Sequence, residues 1–360
     1  MHSDTSPIAV IGGGQSGLAA ARAVTAAGLR PLVLEASGRA AGSWPDYYDS
    51  LTLFSPARFS AMPDLPFPGD PDRYPHRDEV VAYLERYAAL LAERGIEIRL
   101  NSRVTGVRAD GAGFVVQIEG GQELAVSGVV AASGARPLIP TLPGADTFTG
   151  ELEHVAAYRN PKPYEGRRVV LVGAGNSAVQ IGYELAEVAD VTLASRQPVR
   201  LMPHRRHGQD VHYWAVTTGF DHLPPTWLAR LVPGRLVNDP GPYDQALRDG
   251  RLRRRPMFTA LDGDRVIWDD GASEHVDAVL LATGYVPSLG YLAGLGALDE
   301  AGMPLHVGGL SLTHPGLVYL GVEFQRSYAS NTLRGVAADA DHVVTALAAY
   351  AGGALAALGL

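Results

Sequence analysis

An α/β architecture made of two similar units is predicted by three observations. Short apolar runs alternate with helical patterns, as in parallel sheets covered by helices. Two of those runs pass directly into glycine-rich turns: Gly12-Gly13-Gly14 follows Ile8-Ala9-Val10-Ile11, and Gly173-Ala174-Gly175 follows Val169-Val170-Leu171-Val172. Two further runs end alike. Val129-Val130 leads into Ala132-Ser133-Gly134 with Pro137 three residues on, and Val279-Leu280-Leu281 leads into Ala282-Thr283-Gly284 with Pro287 at the same offset. A length of 360 residues suits two such units.

In chain order, Ile8–Ile11 reads as a first strand, followed by an Ala-rich helix from about Gln15 with Gly28 as its stop. Pro31–Glu35 reads as the second strand. A helix from about Ser177 and a strand at Val191–Ala194 repeat that order after the second glycine turn. Pro137–Pro143 (PLIPTLP) reads as a linker between the units, because proline removes backbone donors and fixes the chain direction. From Val343 to Leu360 eighteen residues carry no charge, the minimal length for a membrane span. Their Ala and Gly content, the break at Gly352-Gly353 and the preceding Asp339 and Asp341 argue instead for a packed terminal helix.

Composition narrows the chemistry. The 42 glycines exceed the typical ~7% and fall partly in the turns named above. A net charge of −8 gives no reason to expect nucleic acid or acidic lipid as a partner. With no cysteine in the chain, disulfides, thiolate metal sites, cysteine nucleophiles and dithiol relays are ruled out. No signal peptide is visible, and a cytoplasmic protein is expected.

The two glycine turns are dinucleotide fingerprints. In Gly12-x-Gly14-x-x-Gly17 the first glycine permits the tight turn, the second lets a pyrophosphate approach the backbone, and the third lets helix and strand pack closely. The helix N-terminus then offers free N–H groups to phosphate. Glu35 lies 18 residues beyond Gly17, where a carboxylate accepts hydrogen bonds from ribose hydroxyls. In Gly173-x-Gly175-x-x-Ala178 the equivalent position holds Arg196, with Ser195 beside it as a further donor. A carboxylate there would repel a 2′-phosphate, whereas a guanidinium pairs with it. The first site therefore suits a dinucleotide with a free ribose and the second NADPH, although Arg196 does not by itself bar NADH. Two fingerprints in one chain imply hydride transfer from NADPH to a second cofactor, for which FAD is the usual choice.

Between the units stands Phe148-x-Gly150-x-x-x-His154-x-x-x-Tyr158, which resembles the FxGxxxHxxx(Y/W/F) signature of class B flavoprotein monooxygenases. Gly42-Ser43-Trp44, Tyr48–Pro56 and Ala282-Thr283-Gly284-Tyr285 extend the resemblance over almost the whole chain, and it is closest to the small bacterial flavin-containing monooxygenases. The resemblance implies two Rossmann-like dinucleotide-binding domains, with the NADPH domain (145–282) inserted into a discontinuous FAD domain (1–144 and 283–360). FAD would lie along Gly12, Gly14, Gln15, Ser16 and Gly17, Glu35, Ser43, Trp44, Ser133 and Gly134, with the adenine near Val104. Asn331, Thr332 and Leu333 would close over the isoalloxazine. NADPH would lie along Gly173, Gly175, Asn176, Ser177, Ala178, Ser195 and Arg196, and Thr283 and Gly284 would sit at the return between the units. In the implied chemistry NADPH reduces FAD, oxygen adds as a C4a-hydroperoxide, and one oxygen atom passes to a sulfide or amine. The protein mostly excludes water and holds NADP⁺.

By the same resemblance His154 and Tyr158 would lie in the linker coupling the domains and act through conformation more than proton transfer. Tyr158 stands where Baeyer–Villiger enzymes more often carry Trp, which favours oxygenation at nitrogen or sulfur over Baeyer–Villiger oxidation of ketones. Larger flavin-containing monooxygenases carry an Asn in the segment aligning with Leu53–Pro56. Here Phe54 replaces it, and a phenyl ring cannot hydrogen-bond a flavin peroxide, so leakage to hydrogen peroxide is expected.

Other features carry less. His204, His207 and His212 with Arg205 and Arg206 look like a metal or phosphate cluster, but no paired carboxylate stands at ligand spacing, so no metal is expected. Arg205 or Arg206 helping Arg196 is a better reading than a metal, and a solvated loop is the default. Arg253-Arg254-Arg255 reads as a surface strand edge, and residues 200–262 show no chemical pattern. A pyridine-nucleotide disulfide reductase would share the architecture but needs a dithiol. An NADPH oxidase or electron-transfer flavoprotein, or a non-catalytic redox sensor, fits the same motifs. The partners expected are molecular oxygen and a small-molecule substrate, with no nucleic acid and no membrane span. A homodimer is compatible.

Overall fold

The computed structural model describes residues 6–231 and 236–354. Two parallel sheets organise the chain. In the first, five parallel strands run in the spatial order Leu317–Tyr319, Gly128–Ala131, Ile8–Ile11, Pro31–Leu34 and Glu97–Arg99. Antiparallel strands His306–Val307 and Leu310–Ser311 extend one edge. In the second, all five strands are parallel, in the order Arg253–Pro256, Asp190–Ser195, Arg168–Val172, Ala278–Leu281 and Glu151–His154.

The apolar runs are nearly continuous because both faces of each sheet are covered, as parallel sheets require. Alternate residues serve different cores. Ile8 and Val10 pack under the helices Gln15–Ala26, Arg77–Glu93 and Val336–Ala351. Ala9 and Ile11 pack instead against a three-stranded antiparallel sheet, Val104–Asp110, Gly113–Ile118 and Glu123–Val126. The second unit repeats the plan. Val169 and Leu171 meet the helix Asn176–Leu185, while Val170 and Val172 meet a smaller antiparallel sheet, Ala260–Asp262, Arg265–Ile267 and Ser273–His275, closed by the buried Trp268. Neither antiparallel sheet is foreseen in the sequence.

The echoed segments turn out to be partners. Ala135–Pro137 pairs antiparallel with Tyr285–Pro287, so the two prolines close opposite ends of one ladder joining the units. The linker that begins at Pro137 is thus anchored at its start, and Leu138 N–H donates to Gly284 O at 2.9 Å. The first helix ends at Ala26, and Gly28 stops it with φ +77°. The terminal helix Val336–Ala351 packs on the first one, and its Val336, Val343 and Leu347 join the same core. Residues 355–360 of the uncharged stretch lie outside the described residues. No helix of the described residues is long and apolar enough to cross a membrane.

The described residues between 201 and 262 form regular elements. Leu201–Pro203 pairs with Val237–Asp239, and a hairpin joins Arg205–Arg206 to Gln209–Asp210. Helices Val211–Thr217, Pro225–Leu231 and Pro242–Arg248 follow, and Arg253–Pro256 forms the sheet edge expected of the arginine run.

Candidate functional site

The first glycine turn is packed backbone on backbone. Gly12 has φ +108°, and a Cβ there would stand 2.4 Å from Ala132 O. A Cβ on Gly17 would stand 1.8 Å from Gly12 O, and one on Gly14 would stand 3.2 Å from Gly42 Cα. The tight-turn and close-packing roles read for Gly12 and Gly17 therefore have steric content, and Gly42 packs on Gly14 from a neighbouring loop. Glu35 is buried at the end of the second strand. Its Oε2 accepts from Gly13 N at 2.6 Å and its Oε1 from Ser37 N at 2.7 Å, leaving one lone pair on each oxygen for a ribose.

Around the start of this helix the structure brings together several of the expected residues. Gln15 Nε2 donates to Asn331 O at 2.8 Å, and Trp44 Nε1 donates to Gln15 Oε1 at 3.0 Å. Trp44 meets Tyr47 edge-on at 5.5 Å, and Ser43 Oγ donates to Tyr47 Oη at 3.1 Å. Ser16 lies against Gly321, whose Cβ would approach Ser16 Oγ to 2.2 Å; nothing in the sequence singled out Gly321. Thr332 Oγ1 donates to Ala329 O, and Leu333 is turned into the core. Ser133 Oγ is engaged by Ser288 O at 2.7 Å and Tyr291 Oη at 2.9 Å, and Ser288 N donates to Gly134 O. Val104 is half-buried at the start of the antiparallel sheet, beside the core of the first unit.

The second turn is looser. Gly173 has φ +151°, and its Cβ would meet Ala282 O at 2.5 Å, but a Cβ at Gly175 would meet nothing within 4 Å. The fully buried Ala178 keeps its methyl where Gly17 could not. Asn176 Oδ1 accepts from Asn238 N at 2.9 Å, and Ser177 follows it in the first helical turn. Arg196 is exposed and makes no hydrogen bond or ion pair among the described residues. Ser195 corrects an expectation. It is buried, its hydroxyl proton goes to Gln197 O at 2.7 Å, and Arg254 donates to its Oγ at 3.0 Å and its carbonyl at 2.7 Å. Arg254 is thus tied to this strand end through Ser195. Arg205 and Arg206 belong to the hairpin that carries Asp210.

His154 is tied to the crossover at Gly284, and Tyr158 to the second nucleotide helix at Glu184. The His154 ring donates from Nε2 to Gly284 O at 3.1 Å and accepts at Nδ1 from Ala156 N at 3.1 Å, which fixes a neutral tautomer. Burial pushes its pKa below the usual histidine value, only partly opposed by the Gly284 carbonyl. With both nitrogens engaged, it has no free atom for proton transfer. Thr283 Oγ1 donates to Leu138 O at 2.5 Å in the same crossover. Tyr158 is buried and donates to Glu184 Oε2 at 2.8 Å; burial first, and then that carboxylate, push its phenol up. Tyr48 stands 6.0 Å away and donates to Gln180 Oε1 at 2.8 Å, so a loop of the first unit is tied to the helix of the second.

A third group was not foreseen. Phe54 stacks at 6.4 Å and 19° on His212, whose Nδ1 lies 2.7 Å from Asp210 Oδ1. Tyr74 donates to Asp210 Oδ2 at 2.5 Å. Burial pushes the Asp210 carboxyl up, but the hydrogen bonds from His212 and Tyr74 outweigh it and hold it below the usual carboxylate range. Tyr74 is pushed up to about 12 by burial and by Asp210. The neighbouring Asp221 binds Arg334 through 2.7 and 2.9 Å bonds, with both side chains 10% exposed. Removing one partner of such a pair costs about 3–5 kcal/mol.

Known proteins match this arrangement. The family profile described as pyridine nucleotide-disulphide oxidoreductase matches residues 9–217, more than half the chain. A solved flavin-containing monooxygenase from Stenotrophomonas maltophilia superposes with a TM-score of 0.82 at 30% identity, covering 97% of this chain and 99% of that one. The indole-3-pyruvate monooxygenase YUCCA1 of Oryza sativa subsp. japonica is 31% identical over 317 residues, 78% of this chain and 77% of its own. A CzcO-like oxidoreductase of Geobacillus kaustophilus is 29% identical over 346 residues, 94% and 97% of the two chains.

Proposed function

Because the chain belongs to the pyridine nucleotide-disulphide oxidoreductase family, as an NADPH-dependent flavin monooxygenase that uses FAD, we propose that it transfers one oxygen atom of O2 to a soft nucleophile, a sulfide or an amine. The observation that carries this reading is two dinucleotide units in a chain with no cysteine. Electrons delivered by NADPH find no dithiol, so oxygen is the acceptor. When bound, FAD would supply hydride acceptance and oxygen activation.

The residues present fit that group. Residues 1–144 and 283–360 would form its unit and 145–282 the NADPH unit. Gly12, Gly14 and Gly17 shape a turn whose helix N-terminus faces the pyrophosphate, and Glu35 offers its spare lone pairs to the ribose. Gln15, Trp44 and Asn331 form a bonded wall beside Ser16. In the other unit, the open space over Gly175 would leave room for the second pyrophosphate, and Arg196 would meet the 2′-phosphate, with Arg254 behind the strand end. His154 and Tyr158 would position the units, and Phe54 stacks on His212 of the other unit.

A second reading, oxygen insertion beside the carbonyl of a 2-oxo acid, is favoured by the likeness to the indole-3-pyruvate monooxygenase. Turnover of holoenzyme with NADPH, a thioether or a 2-oxo acid, and isotopically heavy O2 tests both. One heavy oxygen in a sulfoxide is the expected result. Label only in an acid derived from the 2-oxo acid would support the second reading, and label only in hydrogen peroxide would contradict both.

A further inference from the structure

The group at His212 is built like a proton-handling site. The Asp210 carboxylate can only accept, so it takes the proton on His212 Nδ1 at 2.7 Å while its other oxygen takes the Tyr74 hydroxyl at 2.5 Å. The same Oδ1 accepts His212 N at 2.8 Å, capping the helix Val211–Thr217 and locking the imidazole on its own backbone. Both side chains are 7% exposed. With Nδ1 committed, Nε2 is the nitrogen that exchanges a proton, and it has no hydrogen bond among the described residues.

Placement gives the pair a purpose. His204 N donates to Asp239 O, next to Asn238, whose N–H donates to Asn176 at the start of the second nucleotide helix. Val211 N donates back to His204 O. On the other side, the imidazole stacks on Phe54 and Asp210 holds Tyr74, both from the first unit. Asp221, nine residues further on, binds Arg334, just past the Asn331 that Gln15 holds. Hydrogen-bonded paths thus lead from the segment that carries the pair toward the second nucleotide helix through His204, Asp239 and Asn238, and toward the first through Asp221 and Arg334. The titratable groups facing it are Tyr74, His204 and Asp239, with Arg205 acting on Tyr74. His204 stands 5.4 Å from the Tyr74 ring and has a buried Nε2 with no partner.

We propose that His212, positioned by Asp210 and Tyr74, is a catalytic acid that relays the solvent proton consumed in each oxygen transfer. This rests on the monooxygenase reading. The overall reaction NADPH + H⁺ + O2 + X → NADP⁺ + XO + H2O takes up one proton that the hydride donor does not bring. His212 takes that proton from water at Nε2, while Asp210 holds Nδ1, and gives it to the oxygen that leaves as water. The imidazole returns neutral. The leakage expected from Phe54 alone is then the behaviour of the chain without this imidazole.

In His212→Gln the amide N–H keeps a donor near Nε2 but cannot carry a proton. Reduction of bound FAD by NADPH without oxygen should stay within about twofold, product formation should fall about 100-fold, and peroxide per NADPH should rise. Added imidazole should restore part of the product yield in His212→Ala. Nitrogen-15 NMR of histidine-labelled holoenzyme should show His212 in its neutral form protonated at Nδ1, and Asp210→Asn should abolish that preference. Wild-type enzyme that oxygenates its substrate while His212→Gln does so equally well would overturn the relay alone, as would an Nε2-protonated ring. Wild-type enzyme that oxygenates nothing would instead overturn the monooxygenase reading beneath it.

Discussion

The two dinucleotide turns have the same plan and different tolerances. In the first, three glycines meet the backbone of other segments, with gaps that no methyl group could occupy at Gly12 or Gly17. In the second, only Gly173 is so confined, Gly175 faces open space, and Ala178 already carries a methyl. The strand ends differ in charge as well: a buried Glu35 bonded to two backbone N–H groups, against an exposed Arg196 with no such ties. A closed, over-determined turn suits a cofactor that stays, and an open one suits a cofactor that comes and goes every cycle.

Gly17→Ala should have the largest effect. The new methyl drives into Gly12 O, a clash beyond the usual overpacking cost of about 1–3 kcal/mol. The purified protein should lose its flavin absorbance while the NADPH unit still binds NADP⁺; retained flavin would break the comparison. Arg196→Gln comes next. Loss of a charge-assisted bond worth about 1.5–3 kcal/mol should raise the KM for NADPH about 10–100-fold and leave that for NADH nearly unchanged. Steady-state rates with both donors would show it, and equal losses for the two would sink the role of Arg196. Ala178→Gly should cost only about 0.5–1 kcal/mol and shift the KM for NADPH by less than about fivefold, in contrast with Gly17→Ala.

The smallest effect concerns the crossover. The folded-state pKa of His154 is depressed, mainly by burial, below the unfolded value of 6.5. The unfolded chain therefore binds the proton more readily. Its contribution to stability is intact above pH 6.5 and is lost as pH falls through the lower folded value. Protonation would also place an N–H on Nδ1 against Ala156 N–H. Denaturant midpoints at neutral and mildly acidic pH should fall less in His154→Gln than in the wild type, and an equal fall would remove His154 from this account.

How far the sequence carried depended on how local each constraint is. Gly12, Gly17 and Gly173 were legible because a strand-to-helix turn imposes its own glycine spacing, and Arg196 because the second strand ends at a fixed distance from it. Arg254 was not, since its chain neighbours describe a surface edge and only strand pairing turns it back onto Ser195. The Ser195 hydroxyl was misassigned for the same reason: its acceptor, Gln197 O, depends on how the chain leaves the strand. His212 looked like part of a histidine cluster. In the structure the three histidines part company, His207 turning to Trp214, His204 to Tyr74 and His212 to Asp210 and Phe54. The smaller antiparallel sheet escaped notice because its strands, such as Ala260–Asp262, are three residues long, too short for a period to show.

The central claim, that electrons from NADPH end in oxygen transfer, is tested most directly by reducing the holoenzyme with NADPH without oxygen and then mixing it rapidly with oxygenated buffer. The account predicts a transient near-ultraviolet band before oxidised flavin returns, whose decay quickens when a sulfide or amine is added. Direct return of oxidised flavin with one peroxide per NADPH, unaffected by any such substrate, would contradict it and leave an NADPH oxidase.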